Sequence, residues 1–203
     1  MIDPHASGRP VLVALTGATG AIYGIRTLEV LRELGIEAHL IVSRWAEATI
    51  RTETNRKLAD VRALAAAVFD ETDLSAPPAT SSYATSGMIV APCSMRTLAA
   101  VANGISDNLV QRAAEVHLQE RRRLVLLARE SPLSVIHLEN MLRLAQAGAV
   151  VAPPVPAFYA RLRSLDDMVD HTVGRALDQL GIEHERVRRW GERRVALRPV
   201  EGD

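Results

Sequence analysis

Hydrophobic residues along the chain form short continuous runs that alternate with segments of helical periodicity. Five runs have the length and the β-branched, aliphatic composition of strands buried on both faces, as in a parallel sheet. These predicted strands are residues 11–16, 36–42, 87–91, 124–128 and 149–152. The pattern therefore predicts an open, mostly parallel sheet.

The segments between these runs place apolar residues three and four positions apart, which predicts helices. The predicted helices are residues 21–34, 44–53, 57–68, 94–102, 107–120, 133–147 and 165–180. Alternating strands and helices predict an α/β fold, a Rossmann-like doubly wound sheet with helices on both faces. A single domain is expected over residues 10–183, after a disordered N-terminal arm at 1–9 and before an Arg-rich C-terminal tail at 184–203.

Composition narrows the class of protein. The 203 residues contain 24 Lys+Arg and 24 Asp+Glu, so no net positive charge is available to collect nucleic acid. No apolar run reaches the ~18 residues of a membrane span and no secretory signal begins the chain, so a cytoplasmic protein without membrane contact is expected. The single cysteine, Cys93, excludes an internal disulfide, and the histidine spacing predicts no metal site.

The turn after the first predicted strand, TGATGA at residues 16–21, leads directly into a helix. Free N–H groups at a helix N-terminus bind anions, and small residues let a phosphate approach closely. The pattern is neither G-x-G-x-x-G nor a P-loop, since the glycine spacing differs and no Lys-Ser/Thr follows. A phosphate site is favoured, and a tight turn that simply needs glycine is the alternative.

A second hydroxyl-bearing turn, PCSMRT at residues 92–97, follows the third predicted strand. Ligands of doubly wound sheets bind at the carboxyl ends of strands, where the strand order reverses. Two such turns suit one ligand with a phosphate tail and a flat ring, although Ser94 serves equally well as a helix cap. Cys93 lacks a neighbouring histidine, so a buried structural cysteine is favoured over a nucleophile.

Two further segments leave their roles open. Arg129-Glu130 ends the fourth predicted strand, and the pair is either a structural salt bridge or a ligand clamp beside an acid/base group. The segment PPVPAFYAR at residues 153–161 holds Phe158 and Tyr159 between prolines and loop residues. It is either a cover for a hydrophobic substrate or a surface loop anchored by aromatic packing.

Taken together, these motifs closely resemble the flavin prenyltransferases of the UbiX family, over about residues 10–192. The matching segments are TGATGAIYG at 16–24, TET at 52–54, APPATSS at 76–82, residues 87–116 and 120–144, PAFY at 156–159 and RWGE at 189–192. The resemblance implies an enzyme that joins a dimethylallyl group, from dimethylallyl phosphate or diphosphate, to reduced FMN. Prenylated FMN then serves a UbiD-family decarboxylase. Members of the family work without metal and usually form homo-dodecamers whose active sites are shared between subunits.

The resemblance also implies which residues bind FMN. They are Gly17, Ala18 and Thr19 at the phosphate turn, then Ser43, Ser94, Met95, Arg96, Thr97 and Arg129. Arg129 matches an arginine that also reaches the prenyl phosphate. Glu130 and Glu53 match two glutamates of the substrate pocket, which are candidate proton acceptors.

Binding of the prenyl donor is assigned by the same resemblance to Tyr159 and Arg175. A cationic and a phenolic group stabilise a departing phosphate through charge-assisted hydrogen bonds. Arg112 and Trp190 also fall on family positions, with less defined roles. Glu130→Gln, like loss of Arg129, is expected to impair prenylation without affecting the fold.

One position departs from the family pattern. Gln119 stands where most members have a lysine that contributes to phosphate binding, so a charge is missing and the loss of one charge-assisted bond costs about 1–3 kcal/mol. The favoured interpretation is that activity is retained, either because residues 121–123 compensate for the missing charge or because the donor is the diphosphate. The alternative is a non-catalytic FMN-binding accessory subunit of a decarboxylase. A flavin-dependent cysteine decarboxylase ranks lower, because residues 21–34 contain no histidine and the second turn lacks Pro-x-Met-Asn.

Overall fold

The computed structural model of the protein describes residues 8–187 and 189. Residues 1–7 of the expected arm lie outside the described residues, and so does most of the expected tail, including Trp190. The arm, the tail and the role of Trp190 stay predictions.

The core of the fold is a six-stranded sheet in which every neighbouring pair of strands is parallel. The strands are β1 Val11–Leu15, β2 Ala38–Val42, β3 Ala67–Asp70, β4 Gly87–Cys93, β5 Leu124–Ala128 and β6 Val150–Val151. Their order across the sheet is β3-β2-β1-β4-β5-β6, so the direction of winding reverses between β1 and β4. This order confirms the predicted doubly wound α/β class.

Helices cover both faces of the sheet. They are α1 Ala21–Glu33, α2 Arg44–Glu53, α3 Leu58–Arg62, α4 Met95–Ala102, α5 Leu109–Gln119, α6 Val135–Gln146 and α7 Leu165–Leu180. One hydrophobic cluster joins α1, α2, α3 and α7 to one face, and a second joins α4, α5 and α6 to the other. None of the helices within the described residues is long and apolar enough to cross a membrane.

The third strand of the structure was not predicted from the sequence. A single helix was expected over residues 57–68, but α3 ends at Arg62 and β3 begins at Ala67. This strand lies at the edge of the sheet, and its residues alternate between half-buried and exposed positions. An edge strand therefore lacks the continuous apolar run that identified the buried strands.

Helix α1 lies unusually close to the sheet at Gly24. A Cβ atom at this position would stand 2.2 Å from the carbonyl oxygen of Ala91 and 2.5 Å from the side chain of Leu15. Because backbone atoms of β4 occupy that space, only glycine permits this packing. The contact fixes the start of α1 above the ends of β1 and β4.

Candidate active site

Three helices begin at the carboxyl edge of the sheet, where α1, α2 and α4 follow β1, β2 and β4. The Ser43 hydroxyl caps α2 by accepting a 3.2 Å hydrogen bond from the Ala46 N–H. The Ser94 hydroxyl caps α4 in the same way, with the Thr97 N–H as donor at 3.2 Å. The capping role considered for Ser94 is therefore present, and the caps hold two serine hydroxyls at one edge.

A cavity of about 560 Å³ lies among these helix starts and is called here the switch-point cavity. Its lining includes five of the positions expected to bind FMN: Gly17, Ser43, Ser94, Arg96 and Thr97. Glycine is needed at position 17, because a Cβ atom there would lie 2.3 Å from the Cβ of Trp45. The structure thus brings together residues from three turns that are far apart in sequence.

Thr16 connects two of these turns, although it is not among the site residues expected from the sequence. Its buried hydroxyl donates to the Pro92 carbonyl oxygen and accepts from the Ser94 N–H, each at 2.8 Å. The signal in the sequence is a hydroxyl at the end of an otherwise apolar strand. Thr16 therefore fixes the distance between the turns that line the switch-point cavity.

Thr16→Val is expected to destabilise the fold by about 1–3 kcal/mol, because the half-buried Ser94 N–H loses its acceptor and the Pro92 carbonyl keeps only the longer bond, 3.3 Å, from the Thr16 N–H. FMN affinity should fall as well, since the two turns lose their common anchor. Chemical denaturation and flavin titration measure the two effects. Thr52→Val removes an exposed hydroxyl that bonds only within α2, and it serves as the control. Equal unfolding free energies for both variants would contradict this role of Thr16.

Two carboxylates occupy helix N-termini at the same edge. Glu53 accepts hydrogen bonds from the N–H groups of Gly20, at 2.8 Å, and Ala21, at 3.1 Å. Glu71, which follows β3, accepts from the Arg44 N–H at 2.6 Å. The Ala18 N–H donates to the Thr16 carbonyl, so among the described residues the backbone donors left for a phosphate at this turn are those of residues 17 and 19.

Arg129 and Glu130 extend from the end of β5, which lies between β4 and β6 in the sheet. Both residues are exposed, and neither forms an ion pair with any other described residue. The structural salt bridge considered for Arg129 and Glu130 is therefore not formed among the described residues. Burial raises the pKa of Tyr23 on α1, while the positive charge of Arg129 acts in the opposite direction.

A second cavity, of about 660 Å³, lies beside β6 and is called here the β6 cavity. Its apolar lining includes Leu127, Val150, Val155 and Phe158, and its polar lining includes Tyr159, His171 and Arg175. Arg175 also pairs with Asp178 at 2.8 Å. Tyr159 and Arg175 thus line the same cavity, which suits a ligand with an apolar end and an anionic end.

His171 is a polar residue of the β6 cavity to which the sequence assigned no role. Its side chain is 6% exposed, and its Nε2 atom has no hydrogen-bond partner among the described residues. The Tyr159 ring meets it edge-on, with ring centroids 6.1 Å apart. Burial, aided by the nearby Arg175 charge, lowers the pKa of His171, so the imidazole is neutral at neutral pH.

Arg112 and Gln119 lie on α5 and line neither cavity within this chain. Arg112 donates to the Ala79 carbonyl at 3.0 Å and pairs with Glu115 at 2.9 Å. Gln119 donates to Glu115 at 3.2 Å and ends α5 on the side of the sheet where β5 begins. A single chain therefore does not bring these two side chains to Tyr159 and Arg175.

The remaining expected residues sit around the switch-point cavity without lining it. Met95 is buried in the hydrophobic cluster below α4, and Ala18 and Thr19 belong to the turn after β1. Cys93 is fully buried, and burial raises the pKa of its thiol to about 12. The expected structural role of this cysteine agrees with its burial, since a thiol with such a pKa is not a nucleophile near neutral pH.

Known proteins of similar sequence and fold agree with the site described above. The Flavoprotein family matches residues 3–177. A probable UbiX-like flavin prenyltransferase of Bacillus subtilis (strain 168) is 52% identical over 180 residues, which are 89% of this chain and 88% of the relative.

Two solved structures share both the fold and about half of the sequence. The crystal structure of AnUbiX (PadA1) in complex with FMN and dimethylallyl pyrophosphate is 53% identical, with a TM-score of 0.88, over 90% of this chain and 97% of that one. A dodecameric FMN-dependent UbiX-like decarboxylase from Escherichia coli O157:H7 is 50% identical, with a TM-score of 0.87, over 89% of this chain and 98% of that one. The chain thus belongs to the flavoprotein family and, within it, to the UbiX family of flavin prenyltransferases.

Proposed function

We propose that the two cavities hold the two substrates of a prenyl transfer, reduced FMN in the switch-point cavity and dimethylallyl phosphate or diphosphate in the β6 cavity. One observation carries this assignment. The switch-point cavity lies at the carboxyl ends of β1, β2 and β4, the β6 cavity lies beside β5 and β6, and β5, which is followed by Arg129 and Glu130, neighbours both β4 and β6 in the sheet.

The residues of the switch-point cavity fit FMN. The hydroxyls of Ser43, Ser94 and Thr97 and the Arg96 guanidinium supply donors for a phosphate and a polyol chain. The absence of a side chain at Gly17 leaves room beside Trp45. Reduced FMN, when bound, supplies the nucleophilic ring atoms that accept the prenyl group.

The residues of the β6 cavity fit the prenyl donor. Leu127, Val150 and Val155 offer apolar contact to a five-carbon chain and keep water from a developing allylic cation. Tyr159 and Arg175 stabilise the departing phosphate without a metal, because their hydrogen bonds strengthen as negative charge develops. The Asp178 carboxylate, 2.8 Å from Arg175, limits the orientations open to the guanidinium.

Arg129 and the two glutamates complete the proposed chemistry. Arg129 places a positive charge between the two cavities, where it attracts both phosphorylated substrates. Glu130, whose carboxylate accepts only a local 2.9 Å bond from the Ser131 N–H among the described residues, is available to take the proton released when the new ring forms. Glu53 is the second candidate, and it stabilises the start of α1 as well.

The positions of Arg112 and Gln119 support an active site shared between subunits. Because neither residue lines a cavity of its own chain, we assign both to the cavity of a neighbouring copy in a homo-dodecamer, the assembly of the similar Escherichia coli protein. The product, prenylated FMN, is proposed to pass to a UbiD-family decarboxylase in the cytoplasm.

The test is a direct assay of the product. The purified protein is incubated anaerobically with reduced FMN and either dimethylallyl phosphate or the diphosphate, and the released flavin is analysed by mass spectrometry. We expect a flavin that carries one added five-carbon unit with at least one donor, and unmodified FMN when the donor is omitted. Unmodified FMN with both donors would overturn the proposal. It would favour a non-catalytic FMN-binding accessory subunit, with which glutamine at position 119 would agree.

A further inference from the structure

The most unusual polar group of the described chain is the Nε2 atom of His171. It is the one buried side-chain nitrogen or oxygen that has no hydrogen-bond partner among the described residues. Native proteins rarely leave such a group unsatisfied, because it loses its bond to water and gains nothing in return. An unsatisfied group of this kind beside a cavity points to a ligand atom as its missing partner.

The surroundings of His171 indicate which ligand atom this is. The imidazole lines the β6 cavity and lies one helical turn before Arg175 on the same face of α7. Tyr159, the other residue proposed to bind the donor phosphate, lies edge-on to it. A cation, a phenol and an imidazole thus supply hydrogen-bond donors to the lining of one cavity.

We propose that His171 is a further substrate-binding residue, whose Nε2–H donates a hydrogen bond to a phosphate oxygen of the prenyl donor. This inference rests on the proposed location of the donor in the β6 cavity. The shared chemistry is a terminal phosphate group, which both the monophosphate and the diphosphate carry.

A neutral imidazole suits this role. The pKa of His171 is lowered by burial and by the positive charge of Arg175, whereas Asp178 raises it to a smaller extent. The ring therefore contributes an N–H donor without adding a second full charge next to Arg175. Tyr159, which is 45% exposed in a short 3₁₀ turn, meets the imidazole edge-on.

Two substitutions separate the donor atom from the packing of the ring. His171→Phe keeps a ring of similar size and removes both nitrogens, so we expect donor affinity to fall about 10–100-fold while FMN affinity stays unchanged. His171→Gln keeps an N–H donor near the position of Nε2, and it should retain most of the affinity. Thr52→Val, which removes a hydroxyl that bonds within α2 and lines neither cavity, is the control and should bind donor normally.

Binding is measured by calorimetry on the FMN-loaded protein with dimethylallyl phosphate, the diphosphate, and inorganic phosphate and pyrophosphate as probes. Nitrogen NMR of histidine-labelled protein, assigned by loss of the His171 signal in the glutamine variant, should show a shift at Nε2 when a probe binds. Thermal unfolding checks that each variant is folded.

The outcomes distinguish this inference from the proposed function. Donor binding to the wild-type protein, with equal binding to the phenylalanine variant and no shift at Nε2, would overturn the role of His171 alone. A wild-type protein that binds neither donor, or binds both equally well after Tyr159 and Arg175 are replaced, would overturn the proposed location of the donor. Weak binding to the phenylalanine variant with recovery in the glutamine variant supports the inference.

Discussion

Replacing Arg129 by alanine is expected to slow prenyl transfer by two to three orders of magnitude, at saturating FMN and donor. The residue is exposed at the end of β5, between the strands that border the two cavities. Removing one group that stabilises developing charge typically costs about 10²–10³ in kcat. The formation of prenylated flavin in single turnovers, followed by mass spectrometry, measures the loss.

The fold should not change in this variant, because no described residue depends on the Arg129 side chain for an ion pair. Arg32→Ala removes the same charge from an exposed position near the other end of α1, and it should leave the rate unchanged. Glu130→Gln is expected to slow the reaction too, through loss of a proton acceptor. Normal turnover in both the Arg129 and the Glu130 variants would refute their catalytic assignment.

Gly24→Ala is expected to destabilise the fold strongly, although it adds only one methyl group. The added methyl group would stand 2.2 Å from the Ala91 carbonyl oxygen, so α1 must move away from β4. Overpacking of this kind costs about 1–3 kcal/mol and sometimes more, which exceeds the ~1 kcal/mol that alanine gains over glycine in a helix. We expect the unfolding midpoint in urea to fall and FMN binding to weaken, since α1 begins at the switch-point cavity.

Gly35→Ala is the comparison for this variant. A Cβ atom at Gly35 meets nothing within 4 Å, but the residue has a φ of +69°. Its replacement therefore measures only the backbone cost, about 1–2 kcal/mol, and it should leave FMN binding intact. Unchanged stability of Gly24→Ala, or equal loss of FMN affinity in both variants, would contradict the packing argument.

The sequence predicts the buried part of the fold well, because buried parallel strands have continuous apolar runs. Strands β1, β4 and β5 follow directly from such runs, and α2 and α7 have the predicted bounds. The edge strand β3 was missed since its exposed positions break the apolar pattern. Tertiary pairing with β2, which no local pattern records, decides its conformation.

The sequence singles out Ser94 and Arg129 because their residue types coincide with strand ends, whereas Ser43 follows only from the family resemblance. Contacts between distant segments were not predictable from the sequence. The bonds from Thr16 to Pro92 and Ser94 span more than 70 positions, and the Glu53 carboxylate reaches the start of α1 across 32 and 33 positions. His171 escaped notice because an isolated histidine on a helix is usually a structural residue, and only its unsatisfied nitrogen distinguishes it.

Because all six strands run in the same direction, the polypeptide returns from helix to strand on the side of the sheet opposite to the switch-point cavity. Two of these returns turn at Gly35 and Gly148, which have positive φ values of +69° and +98° and open space around their Cα atoms. Gly35 thus turns on the side of the sheet away from the switch-point cavity, where a side chain meets no neighbouring atom of this chain. A fluorescent label or a tether attached next to Gly35 would therefore leave the switch-point cavity unobstructed.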